Sequence, residues 1–410
     1  MTRDVMHRSG ALILEKLLES DNGFSMSRDC DCGGRFLVMK REAKSVRSLM
    51  GDVKISRAIE RCNRCGSRRV PEDMVLDVVK TGFSPGLRRL MGKVGAEVCF
   101  DKGRDFLLEL AGVRVTDKDV ERVSESVGAD IACREDERSK LALQGDCEDF
   151  AESVDTLYIT ADGTGVPVLR RETEGRRGKG QDGIARSREA KLGAVFTQST
   201  VDEKGNAVRD PDSTSYVGKI EGVDSFGERL YAEAVRRGLN IAARVVVIGD
   251  GAPWVWNLAD LHFPGAIQIV DFYHAAEHLG GLARLLYAED EVKRRAWYKR
   301  MQKKLRKGKV SEIISELNSL NLRGRKREGV EKDVGYFEKN KERMRYDQFR
   351  SQGLFIGSGV VEAGCKSVIG KRLKQSGMHW SVRGANSIIA LRCCLESGRF
   401  EDYWEGRRAA

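Results

Sequence analysis

Three acidic residues stand where a chain of alternating strands and helices gathers chemistry. Asp162 closes the apolar run LYITA and precedes Gly163. Asp250 closes VVVIG and precedes Gly251, and Glu362 lies in GSGVVEAGCK, in the first turn of a predicted helix behind a Gly-rich loop. Side chains at the carboxyl ends of the strands of an α/β sheet face a crevice, not packed neighbours, so catalytic groups collect there. Carboxylate oxygens are hard donors suited to Mg²⁺, and Mn²⁺ can substitute. Paired ions use a bridging carboxylate and terminal ones to drive in-line displacement at phosphorus. A single strand-end Asp is more often a turn former or a cap, and that alternative weakens when three acids occupy the right element types. Asp271 in IVDFYH is a fourth strand-end acid and a rival to Asp250, read here as a supporting or structural residue.

Other residue types could assist. His274 and His278 are four apart in HAAEH, so a helix would present both on one side, but the string lacks the Glu beside the first His that HExxH metal sites carry. They are read as structural or as touching DNA. Lys366, Lys371, Arg372, Lys374 and Arg383 follow Glu362 and would suit phosphates near a scissile bond; a solvated charged face is the alternative. Trp254, Trp256 and Trp380 could stack on exposed bases, with core packing expected for at least two of them. Cys30 and Cys32 in CDCGG, with Cys62 and Cys65 in CNRCG, form two pairs that could close a tetrahedral zinc site. The alternative is four reduced, unliganded thiols. Cys365, Cys393 and Cys394 read as buried small hydrophobes.

The elements that must hold these residues follow from patterning. Residues 1–80, with an amphipathic first helix and the paired cysteines, read as a zinc-ribbon-like domain, and residues 81–150 as a helical DNA-binding domain of helix-turn-helix type. In the latter, FLLELAGV precedes RVTDKDVERVSESVG, where Thr116 can cap a helix that turns Val120 and Val123 inward. From Asp155 the pattern becomes strands: TLYITADG, VPVLR and AKLGAVFTQST suggest an antiparallel meander. A helix over about 224–238 and the strands RVVVIGDG and AIQIVDF then argue for parallel strands joined to it. The fold class is therefore α/β with a mixed sheet made by 151–273 and 351–410, interrupted by a basic helical insertion at 274–350. The 410 residues suffice for two or three domains, and the net charge of +10 favours a polyanionic partner without proving one. No apolar run approaches the length of about 18 needed for a membrane span, and the N-terminus lacks the features of a signal peptide. The expected location is the cytoplasm, in association with the nucleoid.

The strings DGTGVPV, REAKLGAVF, VVVIGDGAPWVWNLA, HFPGAIQIVDFYHAAEHL, YFEKNKERMRY and GLFIGSGVVEAGCKSVIGKRLKQSGMHWS resemble the transposases of ISKra-type bacterial insertion sequences, distantly Mutator-like, over nearly all of 84–404. The resemblance implies a ribonuclease H-like fold with a helical insertion between the second Asp and the Glu. It also implies a DDE triad that falls on Asp162, Asp250 and Glu362. The implied function is to bind the terminal inverted repeats of an insertion sequence and to catalyse metal-dependent cleavage and strand transfer. The implied partners are double-stranded DNA, as element ends and target, and further copies of the chain in a dimer or larger assembly. Two alternatives stay open on sequence: a DNA-binding regulator of transposition that no longer reacts, and a metal-dependent nuclease that does not join.

Overall fold

The computed structural model describes residues 2–20, 26–146, 153–178 and 182–408. The chain divides into two compact units, 1–130 with 400–410, and 131–399.

In the first unit, α1 (Thr2–Ser20) lies on a hairpin of β1 (Phe36–Ser48) and β2 (Gly51–Cys62), to which the short β3 (Arg68–Arg69) adds an antiparallel strand. The core between helix and hairpin is Ala11, Val46, Val53, Ile55 and Val78. Helices α2 (Pro71–Val75), α3 (Pro85–Glu97) and α4 (Phe100–Ala111) follow, and α4 stops at Gly112 with φ of 72°. Helix α5 (Asp117–Gln144) then starts at a reciprocal cap. The Thr116 hydroxyl accepts the Asp119 N–H at 3.0 Å and the Asp119 carboxylate accepts the Thr116 N–H at 3.0 Å, which satisfies donors that a helix start leaves orphaned. Val120 and Val123 are buried, as their spacing predicts.

In the second unit the sheet is formed by β4 (Val154–Pro167), β5 (Ser187–Gln198), β8 (Ser215–Lys219), β9 (Ala242–Gly249) and β10 (Ile267–Val270). A separate small hairpin is formed by β6 (Thr200–Val201) and β7 (Ala207–Val208). The sheet order is β10-β9-β4-β5-β8. β4, β5 and β8 pair antiparallel, whereas β9 runs parallel to β4 and β10 parallel to β9. The mixed α/β sheet is thus present, but its meander differs in detail from the sequence reading. VPVLR is not a separate strand: Val166 and Pro167 continue β4, and the third antiparallel strand is SYVGK, too short and Gly-interrupted to show alternation. Leu157, Tyr158 and Ile159 are all fully buried because β4 is central and covered on both faces.

Alternation assigns the faces. A Cβ at Gly193 would come 2.6 Å from Leu230 of α6 (Val223–Arg236), and one at Gly218, paired with Leu192, would meet Ile389 of α15 (Val382–Glu396). Helix α6 therefore covers one face and α15 the other. Helix α7 (Pro253–His262) links β9 to β10, and the insertion runs through α8 (Phe272–Leu286), α9 (Glu291–Arg306), α10 (Val310–Asn318), α11 (Arg325–Asn340) and α12 (Tyr346–Ser351). Its apolar stripe of Trp297, Met301 and Leu305, together with Ile313, Leu317, Val334 and Phe337, is continuous with the core under the sheet. The insertion is therefore anchored to the strands. Helix α13 (Gly359–Gly364), a π-helical turn over Cys365–Gly370 and α14 (Lys371–Leu373) follow without a break. The last helix, α16 (Phe400–Arg408), groups with the first unit, whereas the sequence reading had assigned all of 351–410 to the sheet domain. There Arg407 bridges Asp77 at 3.0 Å and Asp130 at 2.7 Å.

Candidate active site and metal centre

Asp162 does not end its strand, since β4 continues to Pro167. What ends there is the neighbouring strand. The parallel register Thr160↔Ile248, carried two residues further, sets Asp162 level with Asp250 on strands about 4.8 Å apart. The register Gly249↔Val270 likewise sets Asp271 beside Asp250. Three carboxylates thus mark one level where β9 and β10 stop.

Their surroundings differ. Asp162 pairs with Leu192 and so shares the sheet face on which α13 lies, because a Cβ at Gly364 would come 3.0 Å from the Leu192 side chain and 2.6 Å from Tyr216. Glycine at that position allows the helix bearing Glu362 to sit close against the sheet. Burial raises the Asp162 carboxyl above its usual range and the charge of Asp250 adds to the rise, offset by the Gly163 N–H and the Cys365 thiol, which hydrogen-bond it. Burial also raises Glu362, with further contributions from the charges of Asp271 and Asp162, while Lys366 works in the opposite direction. The two groups therefore feel one another across the face.

The Asp250 carboxylate accepts the Ala252 N–H at 2.8 Å and its carbonyl accepts the Tyr336 hydroxyl at 3.0 Å. Gly251 turns the chain there at φ of 98°, and a Cβ would lie 2.6 Å from the Tyr336 ring. Tyr336 belongs to α11 and stacks on His278, with ring centroids 3.9 Å apart; His278 Nδ1 in turn lies 2.7 Å from Asp333. His278 is thus engaged by the insertion, and His274, half-buried, acts electrostatically on Asp162. Asp271 is fully buried. It caps α8 by accepting the His274 N–H at 2.7 Å, and it accepts the Ser358 N–H of the loop that leads to Glu362. The Phe272 N–H donates to the Ile356 carbonyl at 2.8 Å, a second clasp on that loop.

Of the basic residues after Glu362, Lys366, Lys371, Lys374 and Arg383 are exposed, and Lys374 donates to the Thr164 hydroxyl, two residues from Asp162. Arg372 and Trp380 correct the sequence expectation. Arg372 is fully buried with its guanidinium 5.0 Å over the Trp380 ring, and the Trp380 indole N–H donates to the Leu373 carbonyl at 3.1 Å. Trp256 is buried beneath Arg343, and Trp254 packs edge-on to Phe226. Cys365 is buried, as expected of a small hydrophobe, and it also hydrogen-bonds Asp162, lying three residues after Glu362 and hence on the same helix face. The sequence reading missed Tyr336 and Asp333, which carry no signal until the insertion folds back.

A second centre lies in the first unit. Cys30, Cys32, Cys62 and Cys65 place their sulfurs within 4.8 Å of one another, the one such group of metal-binding side chains among the described residues. Cys30 and Cys65 are 3.7 Å apart and Cys32 and Cys62 3.5 Å. Sulfurs about 2.3 Å from a tetrahedral zinc would be spaced about 3.8 Å, so the cluster could bind zinc. The Ser67 hydroxyl and backbone N–H bring the Cys65 thiol down to about 6, and the Cys65 backbone N–H lowers Cys62. Both shifts favour the thiolate that a metal requires, whereas Cys32, held against the Gly34 N–H but half-buried among the other three thiols that share its proton, is pushed up to about 12. The two-residue step from Cys30 to Cys32 is accommodated by a turn in which the Gly33 N–H bonds the Cys30 carbonyl at 2.8 Å, with Gly33 at φ of 77°.

No family model matches the sequence, and no curated protein matches it either. Among solved structures the chain is similar to the Drosophila P element transposase strand transfer complex, at 10% sequence identity and a TM-score of 0.28, with 81% of this chain and 84% of that chain covered. No helix among the described residues is long and apolar enough to cross a membrane.

Proposed function

We propose that the chain is a DDE-type DNA transposase that binds the ends of its own insertion sequence and cuts and joins DNA with Asp162, Asp250 and Glu362 as its metal-binding carboxylates. The observation that carries this reading is the level pairing of Asp162 with Asp250, with Glu362 brought to the same face by α13. The donor set suits Mg²⁺ or Mn²⁺: the three groups are carboxylates, and their mutual repulsion is the kind that a divalent charge relieves. Two ions in such a site stand about 3.5–4 Å apart and share the carboxylates between them. Bound there, such ions supply Lewis acidity to a phosphodiester and to its attacking and leaving oxygens.

The chain's own residues would do the rest. Asp250 is held by the Ala252 N–H, and Asp162 by Gly163 and Cys365. Asp271 fixes the loop before Glu362, while Lys366 and Lys374 stand beside the carboxylates as phosphate contacts. Water in cleavage and a DNA 3′-hydroxyl in joining would be the nucleophiles, so no protein nucleophile is needed. The first unit, with structural zinc at its four cysteines and its capped helices, would recognise the element ends, and an assembly of two or more copies would hold both ends together.

The test is a Mg²⁺- or Mn²⁺-dependent cleavage and strand-transfer assay on the DNA flanking the gene. Wild type should cut and join, while Asp162→Asn, Asp250→Asn and Glu362→Gln should bind DNA and do neither. Binding without cleavage by wild type in either metal would leave the inactive DNA-binding alternative, and cleavage without joining would leave the nuclease.

A further inference from the structure

One face of the insertion is built differently from the rest. Between α8 and α9 lies a groove of about 580 Å³, with Gly280 on its floor, three guanidinium groups, Arg284, Arg294 and Arg295, and Tyr298 on its walls, and two carboxylates, Glu277 and Glu291, among its lining. A Cβ at Gly280 would sit 3.7 Å from the Arg284 guanidinium and 3.8 Å from the Tyr298 ring, so both side chains converge over the glycine. Arg284 is exposed and has no acceptor among the described residues. Arg294 has only a long contact to the Ala288 carbonyl at 3.5 Å, and Arg295 an exposed one to Glu291 at 3.6 Å. These differ from the cations further along α9, where Arg300 and Lys304 are both held by Glu316.

The groove also has a direction. Helix α8 starts at its cap, Asp271, beside Asp250, and Glu277, six residues or about 9 Å along it, lines the near end. Residues 277, 280 and 284 follow one line of α8, and seven residues of helix span about 10 Å, roughly three nucleotides of axial rise at about 3.4 Å each.

The geometry points to this groove as the seat of a DNA strand's phosphates, with Arg284, Arg294 and Arg295 taking the backbone a few nucleotides from the bond cut at the carboxylates. This inference rests on the proposed DNA-processing function and adds the surface that receives the substrate. Guanidinium groups suit the role because they pair bidentately with phosphate and are weakly hydrated. Tyr298 offers a flat face to sugar or base beside them.

The experiment measures binding of the full chain to a fluorescein-labelled DNA duplex several helical turns long, as anisotropy over about 50–200 mM salt. The Arg284→Ala/Arg294→Ala variant should lower the slope of log affinity against log salt by about 2 and weaken binding by about tenfold. Arg284→Lys/Arg294→Lys should restore most of the slope. Arg323→Ala/Lys326→Ala, exposed residues outside the groove, should leave it unchanged. A wild-type slope in the alanine variant, with circular dichroism unchanged, overturns the groove assignment while leaving the proposed function standing. Absence of salt-dependent binding by the wild type overturns both.

Discussion

Asp250, the residue after β9, comes level with Asp162 of β4 when the parallel register is carried on by two residues, although 88 positions separate them in the chain. That pairing depends on strand order. β9 leaves the meander and returns beside β4 on the side opposite β5, with β10 on its far side, so the central strand outruns its one parallel neighbour at the point where that neighbour ends. Past that point β4 has no neighbour on that side, and a crevice opens. Asp271, which follows β10 at the same level, accepts backbone donors from two segments, His274 and Ser358. Asp250, by contrast, has a single backbone donor on its carboxylate among the described residues, the Ala252 N–H.

Asp271→Asn should act through stability. One amide oxygen cannot replace both carboxylate oxygens, and the NH₂ group would face a backbone N–H in a fully buried site. A loss of about 1–3 kcal/mol is expected in chemical denaturation, with the loop before Glu362 loosening first. Hydrogen exchange at 354–358 should rise, and a variant of unchanged stability and exchange would show that the clasp is unimportant.

Removing zinc should unfold the first unit before the second. Each chain is expected to carry one zinc ion by elemental analysis, and Cys62→Ser, at the most buried of the four thiols, should lose it. With structural zinc contributing about 10 kcal/mol or more in small sites, chelation should produce an early unfolding step. A chain that carries no metal and melts identically with and without chelator would leave the four cysteines as reduced thiols.

Sequence conveyed some of this and not the rest, for physical reasons. β9 and the helical insertion were legible because VVVIG and the stripe at 297, 301 and 305 are strong periodic signals. β8 was not, because five residues with an internal glycine gain their strand identity from β5 alone. The acids were found by type and position, but one support of Asp250, the Tyr336 hydroxyl on its carbonyl, comes from α11, 86 residues away, and no local pattern announces such a contact. Arg372 shows the converse error. Its neighbours Lys371 and Lys374 are exposed, and only the turn of the helix decides that the cation between them packs on Trp380.

Arg372→Ala should therefore reduce stability and spare DNA binding. The side chain is fully buried over Trp380, with Nη1 3.2 Å from the Met378 sulfur, so its removal leaves a cavity at the end of α14. A loss of about 2–4 kcal/mol is expected, and the salt dependence of DNA binding should match wild type below the melting transition. A lowered salt slope in a fully folded variant would instead return Arg372 to the DNA surface.

The pH dependence of stability should carry the mark of Glu135, a carboxylate on α5 that is only 13% exposed. Burial raises its carboxyl from 4.5 to about 7 although Arg229 and Arg399 oppose the rise. The folded state then holds a proton that the unfolded state has already released, so stability falls as pH climbs from about 4.5 through 7 and levels off above it. The shift corresponds to roughly 3 kcal/mol, and the cost is fully present at pH 8. Glu135→Gln keeps the shape and removes the titration, while Arg229 retains Glu221 at 2.9 Å and Asp136 at 2.6 Å. The variant should be more stable than wild type at pH 8, with the difference fading as pH falls towards 5. Denaturant titrations of both proteins at the two pH values measure this directly. A glutamine variant that is less stable at pH 8 would mean that attraction to Arg229 and Arg399 outweighs the burial penalty.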